Sequence, residues 1–327
     1  MNMNIDVVRE VLPEKNKEKF DDIVFQRVLG ASKHINMIAD MIESIALEGR
    51  KKQSDTSVIV DNIQTLTHFF ISTRGEASQA IENAINLMTK NIDDVRKLKI
   101  NEAVTKIIKI KDNYLLKANE DLDKVVNHAT KVAEKMRKIM VFDYSSTVDK
   151  FLKSIKPLSG DLTVIIPESR SIDGGQAFVK TCIEAGHNVK FIPDTGIMYF
   201  LEDCDGAFLG AETFFPDGTV FNTTGSDIVG LACKEFNVPL FALTPLIKVD
   251  IRSIYGYDKE LVINDLKGRL AGNWHEEEIE QVDFECPELL GLDPKYVTAI
   301  ITEEGKIPSN QLFNISINYH KSLKGDK

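Results

Sequence analysis

The sequence predicts an α/β protein in two parts: an all-helical N-terminal domain, then a doubly wound parallel sheet. Three observations carry this. Residues 1 to about 135 place apolar side chains at helical spacing and contain no convincing strand. After Arg137, short apolar runs alternate with helical segments. Those runs are apolar at consecutive positions, so both strand faces are buried, as in parallel sheets covered by helices.

In the first half, Ile23, Val24 and Val28, then Ile35, Ile38, Ala39, Ile42, Ile45 and Ala46, mark helix faces. Gly49–Ser57 is polar and reads as a loop, with Ser54 or Asp55 capping the next helix. That helix spans Ile59–Ile71, Ser72–Gly75 breaks it, and Glu76–Met88 forms a third. Ile92–Ile110 and Asn113 to about Lys138 supply more helix.

In the second half, strands are expected at Lys138–Phe142, Leu162–Ile166, Asn188–Ile192, Ala207–Gly210 and Pro239–Leu243. Helices are expected at Ser145–Ile155, Gly175–Ala185, Gly196–Leu201 and Gly225–Phe236. Asp217-Gly218 turns a hairpin after the fourth strand. Residues 249–287 show no clear periodicity, and 258–265 could be strand or helix. Asp293-Pro294 starts a helix over Lys295–Ile300, followed by strand or turn at Ile301–Gly305. No Pro/Gly/Ser-rich linker separates the halves, so the boundary between 1–137 and 138–327 falls inside a long helix.

The composition excludes several classes. A net charge of -10 argues against a nucleic-acid footprint, which needs a basic face. Cys182, Cys204, Cys233 and Cys286 have no Cys-x-x-Cys spacing and read as reduced thiols. No apolar run is long enough to span a bilayer, and the N-terminus lacks a signal-peptide core. The protein is therefore expected to be soluble and cytoplasmic. The six histidines fall at no ligand spacing, and no phosphate loop or dinucleotide glycine signature is present. No metal or cofactor is expected.

Doubly wound sheets bind ligands beyond the carboxyl ends of their strands. Those ends carry Asp143, Glu168-Ser169-Arg170, Asp194 and Glu212, with Thr244 and Lys248 after the fifth strand. Asp143 and Asp194 are either helix caps or site carboxylates. Glu168 and Arg170 either pair weakly at the surface or face a ligand. Glu212 follows an apolar strand and precedes Phe214-Phe215. It is expected to be partly buried, where a carboxylate is usually paired or functional. Arg74 sits at a helix break, where the plain alternative is an exposed helix-end arginine.

Glu168-Ser169-Arg170, Gly174-Gly175, Asp194-Thr195, Gly210-Ala211-Glu212, Asp217-Gly218, Asn222-x-x-Gly225-Ser226 and Lys248 occur in an order that resembles a known family. It comprises the α, β and δ subunits of eukaryotic translation initiation factor 2B. It also holds methylthioribose-1-phosphate isomerases and archaeal ribose-1,5-bisphosphate isomerases. The segments 292–294 and 298–305 are similar to that family's closing segment. Ser72-Thr73-Arg74-Gly75 looks like a degenerate Arg-Pro-Thr/Ser motif. The resemblance implies a helical domain followed by a Rossmann-like domain, a homodimer formed through the latter, and a ligand phosphate in the cleft between domains.

Carried over by position, Arg74, Arg170, Asn222 and Lys248 would contact phosphate or sugar. Gly75, Ser145, Glu168, Gly175, Asp194, Thr223 and Gly225 complete that binding set. Arginine suits phosphate because its planar fork donates two hydrogen bonds. This chain departs from the isomerases at their key positions. Asp143 stands where they carry a catalytic Cys, Glu212 where they carry Asp, and Asn222-Thr223 where they carry Asn-Lys.

Two functions follow. One is a phosphorylated-sugar-binding aldose–ketose isomerase with Asp143 and Glu212 as its acid/base pair. The other is a non-catalytic regulatory or assembly subunit that senses a sugar phosphate or nucleotide. A Mg²⁺ held by Asp143 and Glu212 with a substrate phosphate is a weaker third option.

Overall fold

The computed structural model describes residues 5–28, 30–75 and 78–324. Residues up to Glu120, with those from Lys321, form one unit, and Asp121–His320 form the other.

The first unit is helical. It contains α1 (Ile5–Glu10), α2 (Glu14–Val24), α3 (Ala31–Lys51), α4 (Thr56–Phe70), α5 (Gln79–Met88) and the first part of α6 (Ile100–Ala133). Helix α3 runs through Lys51, so the polar loop before α4 is shorter than its composition suggests. Asp55 caps α4 by accepting the Ser57 N–H. The expected break at Ser72–Gly75 is instead a π-helical turn over Ile71–Gly75. The Ser72 and Thr73 hydroxyls both donate to the Phe69 carbonyl (3.0 and 2.7 Å), competing with the backbone ladder and widening the turn. The expected start of the next helix at Glu76 lies outside the described residues. Ile92–Lys97 is a short 3₁₀ stretch, and the two later helical segments merge into α6, 34 residues long.

The second unit is built on a seven-stranded sheet. In chain order its elements are β1 (Lys138–Phe142), α7 (Ser146–Ser154), β2 (Thr163–Pro167), α8 (Gln176–Glu184), β3 (Asn188–Ile192), α9 (Ile197–Leu201), β4 (Gly206–Gly210), β5 (Thr213–Phe214), β6 (Val220–Thr223), α10 (Ser226–Phe236) and β7 (Leu240–Leu243). Further along come β8 (Ile263–Asp265), α11 (Lys267–Leu270), α12 (Glu276–Ile279), β9 (Glu285–Pro287), β10 (Leu289–Leu292), β11 (Ala299–Thr302), β12 (Gly305–Ile307) and α13 (Leu312–Lys324). The main sheet has the order β12-β11-β7-β4-β1-β2-β3. Only the β11–β12 pairing is antiparallel. A smaller antiparallel sheet, β10-β6-β5, lies after β4 and includes the Asp217-Gly218 hairpin.

Strand alternation sorts the core into two layers. Ile139, Val141, Val164 and Ile166 join Phe151, Phe178 and the end of α6 on one face. Met140, Phe142, Ile165 and Leu209 join Val229, Ala232 and Leu201 on the other.

The helix expected at Lys295–Ile300 is absent. Asp293 caps only a single 3₁₀ turn, Pro294–Tyr296. Ala299–Thr302 is then fully buried as β11, pairing in parallel with β7. Burial on both faces and a ladder partner outweigh the local start signal.

Candidate functional site

The chain winds from β1 through β2 to β3 on one side, then returns across β1 to β4, β7 and β11. The carboxyl ends of β1 and β4 therefore flank the switch-point crevice where such sheets bind ligands. Asp143 follows β1 and Glu212 follows β4.

Asp143 is 5% exposed and its backbone is left-handed, φ 55°. It does not cap α7, whose N-cap is Ser145. The Ser169 hydroxyl donates to Asp143 Oδ1 (3.1 Å) and the Thr223 hydroxyl to Oδ2 (2.6 Å). Burial pushes the Asp143 carboxyl above its ordinary range. Hydrogen bonds from Thr223, Ser169 and the Tyr144 backbone oppose that shift, and the Asp194 charge adds to it. Gly174 makes room for this carboxylate, because a Cβ there would collide with Asp143 Oδ1.

Ser169 is also left-handed, φ 52°. Two such non-glycine residues joined by a hydrogen bond mark a strained, over-determined site. Asp194 does not cap its own short helix. It accepts the backbone N–H groups of Ser169 (2.8 Å) and Arg170 (2.7 Å), fixing the loop after β2. Arg170 lies 3.9 Å from Glu168 and 4.0 Å from Asp173, and donates to the Arg269 carbonyl. Gly175 packs on the Pro167 carbonyl, with no room for a side chain. Both glycines are therefore points of close approach.

The end of β4 is gripped from several directions. Asn222 Nδ2 donates to the Gly210 carbonyl (3.0 Å), and Lys248 Nζ donates to the Ala211 carbonyl (2.6 Å). Glu212 N donates to Phe221 O (2.9 Å), and the Glu212 side chain is half-buried. Ser145 packs on Gly210, and Gly225, φ 105°, sits against the Phe142 ring. Asn222 Oδ1 is buried without a hydrogen-bond partner among the described residues.

Arg74 and Gly75 belong to the helical unit. There Arg74 Nη2 donates to the Ile23 and Val24 carbonyls (2.6 and 3.0 Å) at the end of α2. Burial lowers the Arg74 pKa.

Two residues escaped the sequence reading. Ser169 lies inside a motif but was not singled out. Lys259 lies in the aperiodic stretch and stands 5.9 Å from the Phe221 ring centre. Burial lowers its pKa against the raising charges of Glu212, Asp250 and Glu288, while Arg252 adds to the lowering. Among the described residues, no three His, Cys, Asp or Glu side chains gather to hold a metal. No described helix is long and apolar enough to cross a membrane.

The sequence matches the Initiation factor 2 subunit family over residues 31–309. It is 23% identical over 304 residues to a ribose 1,5-bisphosphate isomerase of Methanocaldococcus jannaschii, covering 93% of this chain and 94% of that protein. It is 29% identical over 177 residues to the Archaeoglobus fulgidus protein of the same name, covering 54% of this chain and 55% of that one. The solved 5-methylthioribose 1-phosphate isomerase of Pyrococcus horikoshii superposes with a TM-score of 0.73 at 18% identity, covering 95% of this chain and 88% of that one. The Pyrococcus horikoshii translation initiation factor eIF-2B gives 0.71 at 21%, covering 91% and 98%. Those two likenesses establish the fold.

Proposed function

The chain belongs to the initiation factor 2 subunit family, and from that premise we propose that it binds a small phosphorylated sugar at the carboxyl edge of the sheet and isomerises it. The observation that carries this is Asp143: a buried carboxyl with a raised pKa, held at the switch point by two hydroxyls. Glu212, half exposed across the same crevice, provides a second carboxyl in a different environment. Carboxyls held in unlike environments are a recurrent acid/base device.

In the forward step Glu212 takes the proton from the hydroxyl-bearing carbon beside the carbonyl, and Asp143 protonates the carbonyl oxygen. The enediol then collapses the other way. Glu212 returns its proton to the former carbonyl carbon, and the hydroxyl on the neighbouring carbon gives its proton back to Asp143. Atoms and electrons balance without an external oxidant. Arg170 and Lys248 hold the phosphate, and Asn222 Oδ1 accepts a sugar hydroxyl. The protein works in the cytoplasm as a homodimer formed through the 121–320 unit.

A second reading has its own support. Burial pushes the Cys182, Cys204 and Cys233 thiols up to about 12, so none serves as a thiolate. Both Asp143 oxygens already have internal donors. A non-catalytic subunit that senses a sugar phosphate or nucleotide accommodates both facts.

A thermal-shift screen against pentose and hexose mono- and bisphosphates and nucleoside monophosphates, with and without Mg²⁺, tests both. A ligand at about 100 times its Kd stabilises by about 2.7 kcal/mol. Stabilisation by a sugar phosphate that is also interconverted supports the isomerase. Binding without turnover moves the assignment to the sensor, and no stabilisation by any compound ends both readings.

A further inference from the structure

Residues 254–287 form an antiparallel ribbon of their own, β8 with β9. Hydrogen bonds from Glu288 N to Val262 O (2.8 Å) and from Leu266 N to Phe284 O (3.0 Å) extend it. Successive strand residues face opposite sides. Leu261, Val262 and Ile263 are 55%, 51% and 47% exposed, so the start of the ribbon presents apolar side chains to solvent. Trp274, against Phe284 at 5.6 Å, and Val282 are 47% and 43% exposed. Exposed apolar surface of this kind marks an interaction site.

The charge of the segment selects what covers it. Between 254 and 287 nine Asp and Glu stand against Lys259, Lys267 and Arg269. Glu276, Glu277, Glu278 and Glu280 are all exposed. A second copy meeting this ribbon across a two-fold axis would set one acidic excess against another, and like charges across an interface cost binding energy. An anionic lipid surface is repelled for the same reason. We propose that the ribbon docks a basic, amphipathic segment of a partner protein, with the partner's apolar face on Leu261, Ile263 and Trp274 and its cations on Glu276–Glu280.

The probe is a synthetic Lys/Leu amphipathic peptide of about 18 residues, five helical turns. Its binding to the full chain is followed by fluorescence anisotropy in about 150 mM salt, where exposed charges act over about 8 Å. A Glu/Leu peptide of the same pattern is the control. The expected result is saturable binding of the Lys/Leu peptide alone. Its affinity falls tenfold or more both in Trp274→Ala and in a Glu276→Gln/Glu277→Gln/Glu278→Gln variant. These side chains are exposed, so both variants keep the natural circular dichroism. No binding to the natural chain, equal binding to the variants, or equal binding of the Glu/Leu peptide overturns the proposal. So does sedimentation showing that Val262→Asp turns a dimer into a monomer, since the occupant is then a second copy. Binding of phosphatidylcholine vesicles that is lost in Trp274→Ala overturns it in favour of lipid.

Discussion

The Thr223 hydroxyl donates to Asp143 Oδ2 at 2.6 Å, joining residues 80 positions apart in the sequence. Together with the Ser169 hydroxyl it satisfies a carboxylate buried at the switch point of the sheet. Thr223→Val keeps the shape and removes the donor. It leaves a buried acceptor short of a partner, an expected loss of about 1–3 kcal/mol in urea unfolding. An unchanged midpoint would show that Asp143 does not depend on this bond.

The pH dependence of stability carries the sign of the Asp143 shift. Its carboxyl is raised in the folded state. Its contribution is therefore complete below the unfolded value of about 3.9 and is lost as pH rises through the folded value. Asp143→Asn has no such titration. The stability of the natural protein minus that of Asp143→Asn should fall as pH climbs from about 4. A pH series of urea midpoints measures it, and a difference that grows with pH contradicts the shift.

Gly174→Ala tests the close approach. An added methyl collides with Asp143 Oδ1 and comes within 3.0 Å of Tyr144 N, both held by neighbouring structure. Overpacking of this kind costs about 1–3 kcal/mol. Gly272→Ala, with nothing within 4 Å of the added Cβ, is the control and should leave the unfolding midpoint in place.

Much of this fold was legible because its strands are short apolar runs buried on both faces. Lys138–Phe142 and Gly206–Gly210 announce themselves that way. Ala299–Thr302 did not, because Asp293-Pro294 is a local helix signal, whereas the ladder to Leu240–Leu243 comes from strands nearly 60 residues away. The candidate site showed in the sequence as a set of strand ends rather than as a network. Asp143 and Asp194 could be named from their strand ends, and Thr223 from the family resemblance alone. That Asp194 holds the backbone after β2, and that Thr223 and Ser169 hold Asp143, depends on tertiary closeness that no spacing encodes. Lys259 was invisible because its surroundings have no periodicity.

One labelling experiment tests whether any thiol serves the site. Burial raises Cys182, Cys204 and Cys233 to about 12, while Cys286 is only half buried. Thiolate is the reacting form, so brief iodoacetamide treatment should add a single label, at Cys286. Ligand binding and any turnover should survive it. Loss of function together with labelling of another cysteine would place a thiol in the site after all.

Glu212→Gln decides between turnover and sensing. The change keeps size and polarity and leaves the backbone bond from Glu212 N to Phe221 O intact. It removes the carboxylate that the proposed mechanism needs as base, together with the charge that acts on Lys259. General-base catalysis contributes about 10²–10⁴-fold, so kcat on a sugar phosphate should fall by that order. The thermal shift produced by the same compound should remain, because the proposed binding set of Arg170, Lys248 and Asn222 is untouched. Asp194→Ala frees the Ser169 and Arg170 N–H groups, so the ligand-induced shift should shrink in that variant. If Glu212→Gln turns over as fast as the natural protein, Glu212 is not the base. If neither protein turns over a compound that both bind, the crevice is a sensor, and its two carboxylates serve recognition alone.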